Sequence, residues 1–217
     1  MENHERILKK VGIALLIVGL LDISVMIYCI TNKISYTSSF NIFAVIAGIL
    51  LMRGSVRTAK VVTFFGAFML AAFIGLLVIF PFMEPFELKA ISFKLSPVST
   101  ILSYAFMFGA VGFVYWVYRN LASEAVMAAR KEAGLSYGVP KFAFALGWVL
   151  VIGLSVAMYF LNNGSRSAIA KSKAIEQFGD AYKYHITAMS YSGGHVSARL
   201  TAYRKDEIKE VKIEWNE

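Results

Sequence analysis

Asp22 is the residue whose position most needs a chemical explanation. It stands inside an apolar run, and no Lys, Arg or His lies within any of the chain's apolar runs to pair with it. A carboxylate at the centre of a bilayer costs about 2.5–3.5 kcal/mol on insertion scales, and such a group marks an ion path or is satisfied by neighbours. Ser24, Tyr28, Asn41 and Tyr104 are the polar side chains in these runs that can complete either arrangement. Proton- or cation-coupled transport usually needs a larger polar set. A satisfied, structural carboxylate is therefore the main expectation, and a small-solute or ion transporter or channel subunit is the competing one.

His185 and His195 invite a metal reading. On the strand pairing derived below they share a sheet face at opposite ends of a hairpin, too far apart to ligate one ion. With three histidines and one cysteine, a zinc site of the usual kind is not expected. Cys29 lies in an apolar run and reads as a small buried hydrophobe. No phosphate-binding glycine loop, HExxH, CxxC, GxSxG or paired-carboxylate motif occurs. Neither enzymatic activity nor a cofactor is expected.

The elements that must hold these residues follow from composition. Of 217 residues, 58% are apolar and 17% charged, against roughly 45–50% and about 25% in soluble domains. That balance excludes a disordered tail, a collagen-like fibre and an ordinary soluble enzyme. A spanning helix needs about 20 mostly apolar residues. Five candidates emerge, at residues 11–30, 34–52, 61–83, 97–118 and 142–161. The first is too long for a signal-peptide core and lacks a cleavage site, so it reads as an uncleaved anchor. The second is short, and a four-span arrangement with this segment re-entrant is the alternative. Tyr115, Trp116 and Tyr118 form an aromatic belt at the end of the fourth.

Lys and Arg orient the chain. Counted from the amino terminus, the segments between spans carry 3, 1, 3, 2 and 4 basic residues. The positive-inside rule puts the richer, alternate set in the cytoplasm, at the inner face of a bacterial-type plasma membrane. The amino terminus is then cytoplasmic and the carboxyl terminus extracytoplasmic. Ten of the 22 basic residues lie in the cytoplasmic set, so most of the net charge of +8 is a topology signal and not a nucleic-acid footprint. Residues 119–134 read as a cytoplasmic helical extension of the fourth span, stopped by Gly134. Residues 84–96 read as a short outer loop whose Phe86, Leu88, Ile91 and Phe93 dip into the interface. Small residues at Ala67, Ala71 and Gly75, and at Ala105, Gly109 and Gly112, permit close helix packing, chiefly within the chain.

Residues 163–217 differ in kind. Ser165 can cap a helix reaching about Phe178, with Ala168, Ile169, Ser172, Ile175 and Phe178 as its apolar face. Three stretches with period-2 alternation follow, marking half-buried strands. A three-residue turn at Ser192-Gly193-Gly194 pairs Tyr191 with His195, Ala188 with Ala198, Ile186 with Leu200 and Tyr184 with Ala202. A second turn at residues 204–207 pairs Leu200 with Val211, Ala198 with Ile213 and Val196 with Trp215. Both hairpins bring apolar side chains to one face, which a one-residue slip would destroy. The fold class expected is a membrane bundle of five helices with a small carboxyl-terminal α+β domain, divided at residues 162 and 163. So small a domain has a thin core and must lean on the membrane part, a second copy or a partner.

The helix ending in Ala174-Ile175-Glu176-Gln177-Phe178-Gly179, followed by a small antiparallel sheet ending in an apolar-Trp strand, resembles cytochrome oxidase assembly factor 1-type domains over about the last 50 residues. That family typically carries a single anchor, from which five spans depart, and no functional residue is carried over. The function expected is a non-enzymatic interaction or assembly module. Tyr191, His195, Arg199 and Tyr203 are its candidate partner surface, and the lipid bilayer and a protein or second copy are its partners.

Overall fold

The computed structural model describes residues 3–34, 36, 40–136 and 138–216, without the side chains of residues 40 and 41. The described chain is mostly helical and ends in a three-stranded antiparallel sheet. Among the described residues, four helices are long and apolar enough to cross a membrane: α1 (Asn3–Thr31), α3 (Val56–Met83), α5 (Pro97–Leu121) and α7 (Lys141–Asn163). Their apolar side chains stay largely outward, as at Leu21, Val98, Phe106 and Val149. Helices that are apolar yet uncovered suggest a lipid environment, since water would penalise such a surface. These helices are compatible with a membrane protein.

α2 (Phe40–Met52) has 13 residues, about 20 Å of helix against a hydrocarbon core of about 30 Å. It is thus shorter than the span expected at residues 34–52, several of which lie outside the described residues. Gly54, at φ +79°, ends it, and the Ser55 hydroxyl accepts from the Thr58 N–H to cap α3.

The chain forms two compact units, Met1–Ala71 with Ala110–Gly147 and Ala72–Gly109 with Trp148–Glu217. In the first, α1 and α2 cross at two glycines. A Cβ built on Gly12 would lie 2.7 Å from the Gly48 carbonyl oxygen, and one on Gly48 would lie 2.8 Å from that of Gly12. Leu8 and Val11 of α1, Leu51 of α2, Ala59 of α3 and Leu121 of α5 share one core with Val126. Val126 belongs to α6 (Glu124–Glu132). The extension expected at residues 119–134 is therefore broken. α5 stops at Leu121, Ser123 is extended, and the chain turns so that Val126 rejoins the core. Gly134 ends the run at φ +68°.

In the second unit, the outer loop expected at residues 84–96 contains a helix, α4 (Phe86–Leu95). Leu88 and Ile91, three residues apart and hence on one face, are buried against Tyr203 and Ile208 of the sheet. Phe86 and Phe93 remain exposed. Lys89 donates to the carbonyls of Phe80 and Pro81, satisfying two acceptors that the end of α3 leaves open.

The tail follows the expected order, α8 (Ser165–Phe178), β1 (Lys183–Ser192), β2 (His195–Arg204) and β3 (Glu207–Asn216). Two details differ. α8 buries Ala170 and Ala174 on the sheet, leaving Ile169 and Ile175 exposed. Small alanines let the helix approach a face already filled by Leu200, Ile213 and Trp215. The second hairpin has the expected register, with Leu200 opposite Val211 and Val196 opposite Trp215. The first has it only at its far end, where Ile186 faces Leu200 and Tyr184 faces Ala202. Its turn is the two-residue Gly193-Gly194, both with positive φ, so Ser192 and not Tyr191 faces His195. The irregularity between Ile186 and Ala188 absorbs the slip at Thr187, whose hydroxyl donates to the Arg199 carbonyl. Met189 replaces Ala188 opposite Ala198.

Candidate functional site

Among the described side chains, Asp22 has a partner outside the polar set expected around it. The Tyr36 hydroxyl donates to the Asp22 carboxylate at 2.5 Å, a strong bond because the acceptor is charged when ionised. Tyr36 is not one of the residues expected to partner Asp22. Ser24 donates to the Leu20 carbonyl one turn back. Tyr28 is exposed, and its carbonyl accepts from Thr31 and Asn32. Tyr104 belongs to the second unit, where its ring meets Phe80 edge to face at 5.9 Å. The Asn41 side chain lies outside the described residues. Asp22 carries a hydroxyl partner from 14 residues away, which is what a satisfied intramembrane carboxylate requires.

The four residues expected on the outer sheet face are also divided. His195 and Arg199 lie there and are exposed. Tyr203 lies there too, but α4 covers it, leaving 5% exposed. Burial raises its hydroxyl above the usual tyrosine pKa, and the Glu87 carboxylate pushes it further up. Tyr191 pairs with Val196, so the bulge turns it to the inner face, where the Arg166 guanidinium stacks on its ring at 4.7 Å. The uncovered end of the outer face therefore presents His195, Arg199, Lys212 and Glu214. Lys212 holds the Glu214 carboxyl below its ordinary range.

α4 ties down the other end. Lys183 of β1 donates to Glu87 of α4, which raises the Lys183 pKa, while Leu88 and Ile91 supply the apolar contact. The ion pair is exposed on both sides, so the apolar contact carries most of the docking energy. Beside it lies a cavity of about 600 Å³, lined by the ends of α3 and α7, by α8 and by β1. His185 stands in its wall, 9% exposed and, among the described residues, with no hydrogen bond from its ring. Burial lowers its pKa; Glu84 opposes the shift, and Lys171 and Lys89 add to it. His185 had been read from sequence only as one half of an unlikely metal pair. Alternation along β1 places it on the polar face, and a helix that reads as a loop hides the burial.

No family model matches the chain, and comparison with curated proteins and with solved structures finds no match.

Proposed function

We propose that the chain is a multi-pass protein of a bacterial-type inner membrane, crossing it five times, with the amino terminus in the cytoplasm. It holds a small extracytoplasmic α+β domain that works as a non-enzymatic interaction or assembly module. The observation that carries this reading is the clamping of the sheet. α8 covers its inner face and α4 one end of its outer face, so the uncovered end with His195 and Arg199 is a fixed platform. A fixed polar surface with an exposed cation suits recognition, because little ordering entropy is lost on binding.

Two features support the crossings. The second segment of the chain returns along the first, with the Met52 N–H 2.9 Å from a Cβ placed on Gly12. The three segments richest in Lys and Arg also share one unit and one core, as a common cytoplasmic side demands. The resemblance of the tail to cytochrome oxidase assembly factor 1-type domains points toward assembly as well. The Tyr36 bond supports a structural role for Asp22, and the transporter reading stands second.

Complementation of a strain lacking the protein tests the choice. Asp22→Asn is expected to restore function fully, and removal of residues 163–217 to abolish it at equal protein level. Loss of function with Asp22→Asn at normal protein level, or full function without the tail, would contradict the module.

A further inference from the structure

The cavity at the ends of α3 and α7 is lined mostly by apolar residues of the helix ends, joined by polar residues beyond them. Phe82 and Tyr159, both well exposed aromatic side chains, belong to the last turns of α3 and α7, where membrane-interface belts place such rings. Glu84, Lys171 and His185 of the same lining belong to segments beyond those helix ends. The Lys171 ammonium has only one weak bond, to the Asn162 carbonyl at 3.3 Å. Among the described residues, Glu84 and the imidazole of His185 make no side-chain hydrogen bond. His185 is 9% exposed and lines the cavity, so its ring is available to a molecule that fills it. Because burial lowers its pKa from the ordinary 6.5, it is neutral at pH 7 and offers one N–H without a charge. The lining then holds one cation, Lys171, one anion, Glu84, and neutral polar groups that include His185 and Asn162.

We propose that this cavity binds the headgroup of a zwitterionic phospholipid bearing a primary amine, with the phosphate against Lys171 and His185 and the ammonium against Glu84. The acyl chain descends past Phe82 and Tyr159. The charge balance of the lining favours a zwitterion over an anionic lipid, since an anionic headgroup leaves Glu84 facing a second negative group. The apolar residues of the lining favour a lipid over a soluble phosphate ester. This site rests on the membrane reading of α3 and α7, but not on the assembly role of the tail.

Native mass spectrometry of the full chain, released from detergent with phosphatidylethanolamine and phosphatidylglycerol at equal concentration, tests it. One phosphatidylethanolamine is expected to stay bound per chain, in preference to phosphatidylglycerol. Lys171→Gln is expected to weaken its retention about tenfold, the effect of losing one charge-assisted contact. Glu84→Gln is expected to erase the preference between the two lipids, and Lys171→Arg to restore binding, which separates a lost contact from a misfolded chain. Retention of neither lipid, a preference for phosphatidylglycerol, or wild-type retention in both neutralised variants would overturn the site. Soluble phosphoethanolamine displacing the lipid at equal concentration would overturn it as well. A chain that stays monodisperse without detergent would instead contradict the membrane reading itself.

Discussion

Gly12 and Gly48 meet backbone to backbone where α1 and α2 cross. A methyl group on Gly48 would stand 2.8 Å from the Gly12 carbonyl oxygen and 2.9 Å from the Leu16 nitrogen, both backbone atoms that cannot turn aside. Close approach through small residues is the usual way apolar helices associate where lipid removes the hydrophobic drive between them. Gly48→Ala must therefore push the helices apart and is expected to lower stability by about 1–3 kcal/mol. Gly109 has open space around it, so Gly109→Ala is expected to leave stability unchanged or raised slightly. Thermal unfolding in detergent compares the two; equal midpoints would contradict the crossing.

Tyr203 is expected to be the anchor between the sheet and α4. Its ring is buried against Leu88, Ile91 and Ile208. Tyr203→Ala should cost about 3 kcal/mol, as for other large core aromatics cut to alanine, and should release α4. Hydrogen exchange would then rise in residues 86–95 while the β2–β3 pairing stays protected. Lys183→Ala, which removes only an exposed ion pair, should change exchange in α4 little.

The bulge at Thr187 makes a prediction about length. Deleting Thr187 leaves Ile186 opposite Leu200 and Met189 opposite Ala198, with strict alternation between them, so the domain should still fold. Deleting Ser190 shifts Met189 opposite Ser197 and turns it outward, so the domain should lose stability. Proteolysis of the two deletion variants in detergent separates the outcomes; equal resistance would contradict the register.

Local pattern explains what was legible and what was not. The helix to Phe178, three strands and the second hairpin register were readable because alternation at Val196, Ala198, Leu200 and Ala202 has one solution. The first hairpin was half readable: Gly193-Gly194 suits two turn lengths, and the choice was settled by a bulge that no residue type announces. α4 read as a loop because its buried side is only Leu88 and Ile91, two positions that acquire meaning from Tyr203 more than a hundred residues away. For the same reason the burial of His185 was invisible. Ala170 and Ala174 lost to Ile169 and Ile175 in a reading by hydrophobicity, whereas the sheet face had room only for alanine. Asp22 was visible at once, but its partner Tyr36 was not, since their meeting depends on how the chain turns after α1.

His185 should make the domain sensitive to mild acid. Burial depresses its pKa in the folded chain, so below the ordinary value of 6.5 the unfolded chain takes up a proton that the folded chain resists. Stability is therefore full above about pH 6.5 and falls as pH drops from there toward the folded-state pKa. His185→Gln should flatten that slope. Unfolding midpoints between pH 7.5 and 5 check this; a wild-type midpoint independent of pH over that range would contradict it.

The side of the membrane on which the sheet domain lies is tested most directly by reporters fused after Glu217. Five crossings with a cytoplasmic amino terminus predict that alkaline phosphatase, active only outside the cytoplasm, is active there and that a green fluorescent protein fused at the same point is dark. A bright fluorescent fusion with an inactive phosphatase would contradict the account.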